Sequence, residues 1–130
     1  MRKLGIKPGA MLGVLGEPAG FDATLGELPP GVEIRHRARG PLDVVVAFFS
    51  KRSDLERRLP ALRSALASDG GLWIAWPKRA SGVPTDLTDN AVRELGLAAG
   101  LVDNKVCAID EIWSGLRLVY RLRDRPPVRS

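Results

Sequence analysis

The sequence predicts an α/β domain with an open, mostly parallel sheet, helices on both faces and a C-terminal antiparallel hairpin. Three observations predict it. Segments of strand character alternate along the chain with segments of helical periodicity, which is the pattern of a covered parallel sheet. Two of the strand segments, Asp43–Phe49 and Leu72–Trp76, are continuous apolar runs, as suits strands buried on both faces. The last two strand segments are joined only by Asp110 to Gly115, which is hairpin length.

Each element has its own signal. Ala10–Leu15 reads as the first strand, ended by the turn Gly16-Glu17-Pro18-Ala19-Gly20. A short helix is expected from Asp22 as N-cap to Leu28, weakened by Gly26 and stopped by Pro29-Pro30-Gly31. Val32–Arg37 alternates apolar and polar residues and reads as a half-buried strand. Only Ala38–Leu42 then separates it from the Asp43 strand, whereas a parallel crossover takes a dozen residues or so. Either this strand is very short with a bare return loop, or it runs antiparallel.

Ser53 and Glu56 have capping-box spacing, and Leu55, Leu59, Leu62 and Leu66 form one apolar helix face. Pro60 lies inside that pattern and should kink or split the helix, which Asp69-Gly70-Gly71 should close. After the Leu72–Trp76 strand comes a polar loop, Lys78–Leu87. Thr88 then caps a helix, with Leu87 and Val92 as a hydrophobic staple. Val102–Ile109 and Leu116–Leu122 are the hairpin strands.

Composition narrows the class. At 130 residues the chain suits one domain, expected over 1–123, and can bury roughly two-thirds of its unfolded surface. With 45% hydrophobic and 27% charged residues, disordered and fibrous classes are excluded. One cysteine, Cys107, excludes an internal disulfide framework, and one histidine, His36, excludes a histidine-rich zinc site, so no metal is expected. No apolar run approaches the roughly 18 residues of a membrane span, and the first residues lack a secretion-signal pattern. A cytoplasmic location is expected.

The net charge of +5 is unevenly spread. Arg117, Arg121, Arg123, Arg125 and Arg129 against Asp124 leave 117–130 at +4, so 124–130 reads as a basic, frayed tail. Arg35, Arg37 and Arg39 form a second basic run with no interleaved aromatic residue, so nucleic acid is not expected as a partner.

In this order of elements the chain resembles a stripped-down class I S-adenosylmethionine-dependent methyltransferase fold, which is Rossmann-like. Leu4–Gly9, Trp76-Pro77-Lys78 with Thr85-Asp86-Leu87, and Asp110–Leu116 further resemble a small family of bacterial proteins of unknown function. That likeness spans nearly the whole chain and bears on the fold rather than the chemistry. The methyltransferase resemblance implies that the turn after the first strand approaches the methionine part of the cofactor. It also implies an acid at the end of the second strand, to hold the ribose hydroxyls. The turn here would bring Gly16, Glu17 and Gly20 to S-adenosylmethionine, but Pro18 removes a donor and Glu17 faces the cofactor's carboxylate with like charge. Where the acid should stand are His36, Arg37 and Arg39.

Ligands of open α/β sheets bind beyond the carboxyl ends of the strands. Two segments there are rich in functional groups. The first carries Trp76, Lys78, Ser81, Thr85 and Asp86, and the second Asp110, Glu111, Trp113 and Ser114. The two should meet, with Trp76, Lys78, Glu111 and Trp113 within reach of one ligand. The expectation is a non-catalytic binding or interaction module for a small molecule or protein, using these loops. The alternative is a degenerate or unorthodox S-adenosylmethionine-dependent methyltransferase. An open cleft over Gly16–Gly20 would favour the enzyme, and a cleft filled by Phe21 the module.

Overall fold

The computed structural model describes residues 4–121. The expected tail 124–130, and residues 122 and 123 before it, lie outside the described residues. The elements are β1 (Met11–Leu15), α1 (Phe21–Leu25), β2 (Glu33–Arg35), β3 (Leu42–Phe48), α2 (Arg52–Ala65), β4 (Leu66–Pro77), α3 (Asp89–Ala98), β5 (Leu101–Ala108) and β6 (Trp113–Tyr120). They build one sheet in the order β2-β1-β3-β4-β6-β5. β2, β1, β3 and β4 are mutually parallel, and β6 runs antiparallel to β4 and β5. This is the α/β sheet with a closing hairpin that the sequence predicts.

Two apolar layers flank the sheet. Val45, Ala47, Leu72, Ile74 and Trp76 pack under Leu55, Leu59 and Leu62 of α2 and Val92 of α3. On the other face Leu12, Val14, Val46 and Trp73 pack under Phe21 and Leu25 of α1 and under Leu4. Leu4 is held there by its carbonyl, which accepts from the Trp73 indole at 3.1 Å.

The short return loop is resolved in favour of a bare connection. β2 is parallel to β1 and only three residues long, so it rises about 10 Å. Residues 36–41 reach up to ~20 Å, enough to cross β1 without a helix. They cross on the α2 face, where Ala38 packs on the core. The expectation of a half-buried strand over Val32–Arg37 is corrected: every residue of β2 is exposed, Ile34 at 42%. β2 is an edge strand, and the one-turn α1 directs Phe21 onto Phe48 of β3 instead.

Several element ends also differ from expectation. α1 starts at Phe21 after Gly20, so Asp22 lies in its first turn and is not the N-cap, and it stops at Gly26 rather than Leu28. α2 starts at Arg52, with no side-chain cap, and contains Ser53 within its first turn. The Arg52 N–H is met from a distant loop, by Asp86 Oδ1 at 2.7 Å. Pro60 neither splits nor ends α2, which is one helix through Ala65. Its last carbonyls find a partner in β6: the Tyr120 hydroxyl donates to the Arg63 carbonyl, and lies 3.4 Å from that of Leu66.

The Asp69-Gly70-Gly71 run therefore does not close a helix. It lies in β4, whose register against β3 jumps from Leu66 opposite Leu42 to Gly71 opposite Val44, so that residues 67–70 bulge out. α3 matches its signals, with the Thr88 hydroxyl accepting from the Ala91 N–H at 3.1 Å and Leu87 and Val92 buried. No helix among the described residues is long and apolar enough to cross a membrane.

Replacing Pro60 by Ala should restore the N–H to the Glu56 carbonyl and stabilise the fold by about 1–3 kcal/mol in thermal or urea unfolding. Tyr120→Phe should cost about 1 kcal/mol, because the Arg63 carbonyl loses the hydroxyl and keeps only the Leu66 N–H. Burial pushes the Tyr120 phenol above its ordinary value near 10, outweighing the opposite pull of the Arg63 charge. The folded state thus holds this proton more tightly than the unfolded chain. Its stabilising contribution is complete below about pH 10 and is lost as pH rises through the raised folded value. Unfolding measured from pH 8 to 11 should show a loss of stability above about pH 10 that is smaller in Tyr120→Phe.

Candidate functional site

The sheet order reverses between β1 and β3, and a crevice at such a reversal is the usual ligand position in an open α/β sheet. The turn after β1 begins at Gly16, whose φ of +67° favours glycine and whose Cβ, if present, would stand 3.0 Å from the Phe48 carbonyl oxygen. The turn is thereby drawn tight against the end of β3. On the α1 side, Phe21 meets Phe48 edge-to-face with centroids 4.8 Å apart, and Phe48 meets Trp113 likewise at 5.0 Å. These three rings run from α1 across β3 to β6, and Phe21 and Phe48 are buried.

Above β1, His36 closes the edge. Its Nδ1 lies 3.0 Å from the Val14 carbonyl and 3.1 Å from Glu17 Oε2. A carbonyl only accepts, so Nδ1 carries the proton. His36 is exposed, but its ring ties the return loop to the turn after β1. Gly20, the last residue of that turn, has open space around its Cα.

At the exits of β4 and β5 the two loops do meet. Pro77 pairs with Trp113, and the Lys78 N–H donates to the Ile112 carbonyl at 2.7 Å. Much of the loop chemistry is committed to holding them. Ser81 Oγ donates to the Lys78 carbonyl at 2.6 Å and accepts from the Val83 N–H. Thr85 Oγ1 donates to the Ser50 carbonyl at 2.6 Å and accepts from the Leu87 N–H. Asp86 closes the N-terminus of α2, and Asp110 Oδ1 accepts from the N–H groups of Ile112 and Trp113, both at 2.8 Å. Lys78 and Glu111 form no ion pair among the described residues.

The expected grouping of Trp76, Lys78, Glu111 and Trp113 around one ligand is not what the sheet produces. Trp76 is opposite Ser114, and Trp113 opposite Pro77, so the two indoles leave opposite faces. Trp76 belongs to the α2 and α3 layer, and Trp113 to the layer with Phe48. A cleft of about 570 Å³ opens on the α3 side, walled by Trp76, Lys78, Arg79, Thr85, Val106 and Ser114 among others. Val106 was not foreseen as part of it. Its signal is the hairpin register, which sets Val106 opposite Leu116, on the same face as Trp76.

The fold is that of the class I S-adenosylmethionine-dependent methyltransferases. Among solved structures the chain is similar to an S-adenosylmethionine-dependent methyltransferase from Aquifex aeolicus, with 15% identity, TM-score 0.66, and 89% of this chain and 85% of that one covered. It is similar to magnesium protoporphyrin IX methyltransferase from Synechocystis PCC 6803 with bound S-adenosylmethionine, at 12% identity and TM-score 0.59, covering 88% and 71%. A ribosomal protein L11 methylase from Lactobacillus delbrueckii subsp. bulgaricus matches at 12% identity and TM-score 0.59, covering 92% and 73%. Likeness at these identities is likeness of fold. No family model matches the chain, and no curated protein matches it.

The residues at the reversal do not fit S-adenosylmethionine. Glu17 Oε2, buried and 3.1 Å from His36 Nδ1, sets a carboxylate in the turn that the resemblance brings to the cofactor's own carboxylate. His36, Arg37 and Arg39 occupy the stretch where an acid would take the ribose. The Phe21, Phe48 and Trp113 rings pack edge-to-face on the α1 side.

If Asp86 chiefly serves α2, Asp86→Ala should lower stability by about 1 kcal/mol through the lost cap. Lys78→Ala should leave the melting temperature within error of the parent. Thermal unfolding of both variants checks the division between holding and free groups.

Proposed function

We propose that this chain is a non-catalytic binding module built on a methyltransferase fold, taking its ligand in the cleft at the β4 exit. The observation that carries the reading is the ring series Phe21, Phe48 and Trp113 at the sheet reversal, with Glu17 and His36 closing the edge above it. Those groups stand where the fold would otherwise receive a cofactor. The β4 exit keeps about 570 Å³ open and is walled in part by Trp76, Val83 and Val106, whereas the hollow of about 550 Å³ beside the reversal is lined by Arg35, His36, Arg37 and Arg39, with no apolar wall among the described residues.

The cleft's lining favours a small molecule with an apolar body and an anionic group. Trp76, Val83 and Val106 supply apolar wall, and Lys78 and Arg79 bring two cations without ion-pair partners among the described residues. Against catalysis stands the use of the loop hydroxyls: Ser81 and Thr85 each donate to a backbone carbonyl, so neither directs its proton to a base.

The fold likeness itself favours a second reading, an unorthodox S-adenosylmethionine-dependent methyltransferase, and one experiment separates the two. A thermal-shift screen would compare S-adenosylmethionine and S-adenosylhomocysteine with nucleotides and a set of aromatic carboxylates. A ligand at one hundred times its dissociation constant stabilises by about 2.7 kcal/mol. The module reading expects a shift with aromatic carboxylates that is lost in Lys78→Ala, and none with S-adenosylmethionine. A shift with S-adenosylmethionine that survives Lys78→Ala would overturn it in favour of the enzyme.

A further inference from the structure

A second set of cations lies on the other face of the sheet. Arg117 of β6 is flanked by Trp73 of β4 and Lys105 of β5, and its side chain lies across β4 at Gly71. A Cβ at Gly71 would stand 2.3 Å from Arg117 Nε and 2.7 Å from Cζ, so any other residue there would displace the guanidinium. The bulge before Gly71 and the glycine itself thus shape a slot for this one side chain.

The slot leaves Arg117 half-buried and without a hydrogen bond or ion pair among the described residues. Asp43 and Asp69 are in the vicinity but form no ion pair with it, and Asp43 Oδ2 accepts instead from the Met11 N–H at 2.8 Å. Burial pushes Arg117 below its ordinary range, with no anion to offset the loss of solvent. Desolvating a charge is costly unless it is paired, so a guanidinium held in this slot without a partner among the described residues is suited to an added anion.

The surroundings agree. A hollow of about 270 Å³ beside the guanidinium is walled by Lys7, Lys105, Asn104, Trp73, Leu4 and Gly5, with no carboxylate among the described residues of its lining. A second hollow, of about 290 Å³, adjoins it through Gly5, Lys7 and Arg117, and there Asp43 and Asp69 contribute to the wall. Three cations and an amide face the first hollow, whose size admits a phosphate group. Arg presents a planar fork of donors suited to phosphate oxygens, and lysines add point charges.

We propose that Arg117 and Lys7 form a binding site for a phosphate group, either free or as the phosphomonoester of a small molecule. The site lies on the α1 face, away from the cleft at the β4 exit, and does not depend on what that cleft binds.

The test is titration calorimetry of the full chain with inorganic phosphate, with methyl phosphate, and with chloride at matched ionic strength. Binding of phosphate or methyl phosphate in excess of chloride is expected. Preference for inorganic phosphate would assign the free ion, and preference for methyl phosphate the ester. Arg117→Met keeps the stem that covers the sheet and should weaken binding about tenfold or more, as loss of a charge-assisted hydrogen bond implies. Lys7→Gln removes an exposed charge and should weaken it by about threefold, which keeps the test informative if Arg117→Met does not fold. Binding no better than chloride, or unchanged in Lys7→Gln and in any folded Arg117→Met, would overturn the proposal.

Discussion

Strand twist makes crossovers between parallel strands right-handed, and in this chain that chirality assigns each connection to a face. The step from β1 to β2 runs one way along the sheet, and those from β2 to β3, β3 to β4 and β4 to β5 run the other. Right-handedness therefore puts α1 on one face and the 36–41 return, α2 and α3 on the opposite face. The packing follows: Ala38, Leu59 and Val92 share one apolar layer, while Phe21 and Leu25 share the other. The change of face follows from the reversal of strand order between β1 and β3.

This division makes the two faces unequal. One carries two full helices. The other has a one-turn helix and the Leu4 segment, pinned by the Trp73 indole. On the poorly covered face the sheet must supply its own cover over β4, β6 and β5. It does so with Trp73, with Trp113 packed on Phe48, and with the Arg117 stem lying over Gly71. The ring series beside the reversal and the half-buried guanidinium further along both belong to that thin layer.

The β4 exit obeys a different constraint. Its loops are stitched by short polar bonds to backbone, so Ser81, Thr85, Asp86 and Asp110 are structural elements of the cleft rather than free groups inside it. Their rigidity holds Lys78 and Arg79 at the rim.

Buried runs, the apolar stripe of α2, the Thr88 cap and the hairpin spacing were legible in the sequence because each depends on neighbours a few residues apart. The sheet class and the meeting of the two exit loops followed from them. The start of α2 was not legible, because its partner, Asp86, lies 34 positions away. Nor was the end of α2, which β6 completes through Tyr120. Gly70-Gly71 looked like a helix stop, since glycine signals either a turn or a close approach, and only the guanidinium of Arg117 above it distinguishes the two. Trp76 and Trp113 were placed together by strand order, but pleating and register sent them to opposite faces. The sequence by itself determined which segments form strands and helices and which ends of the sheet carry functional groups. Which side chains share a face or fill a crevice was decided by tertiary register, because those relations join residues far apart in the chain.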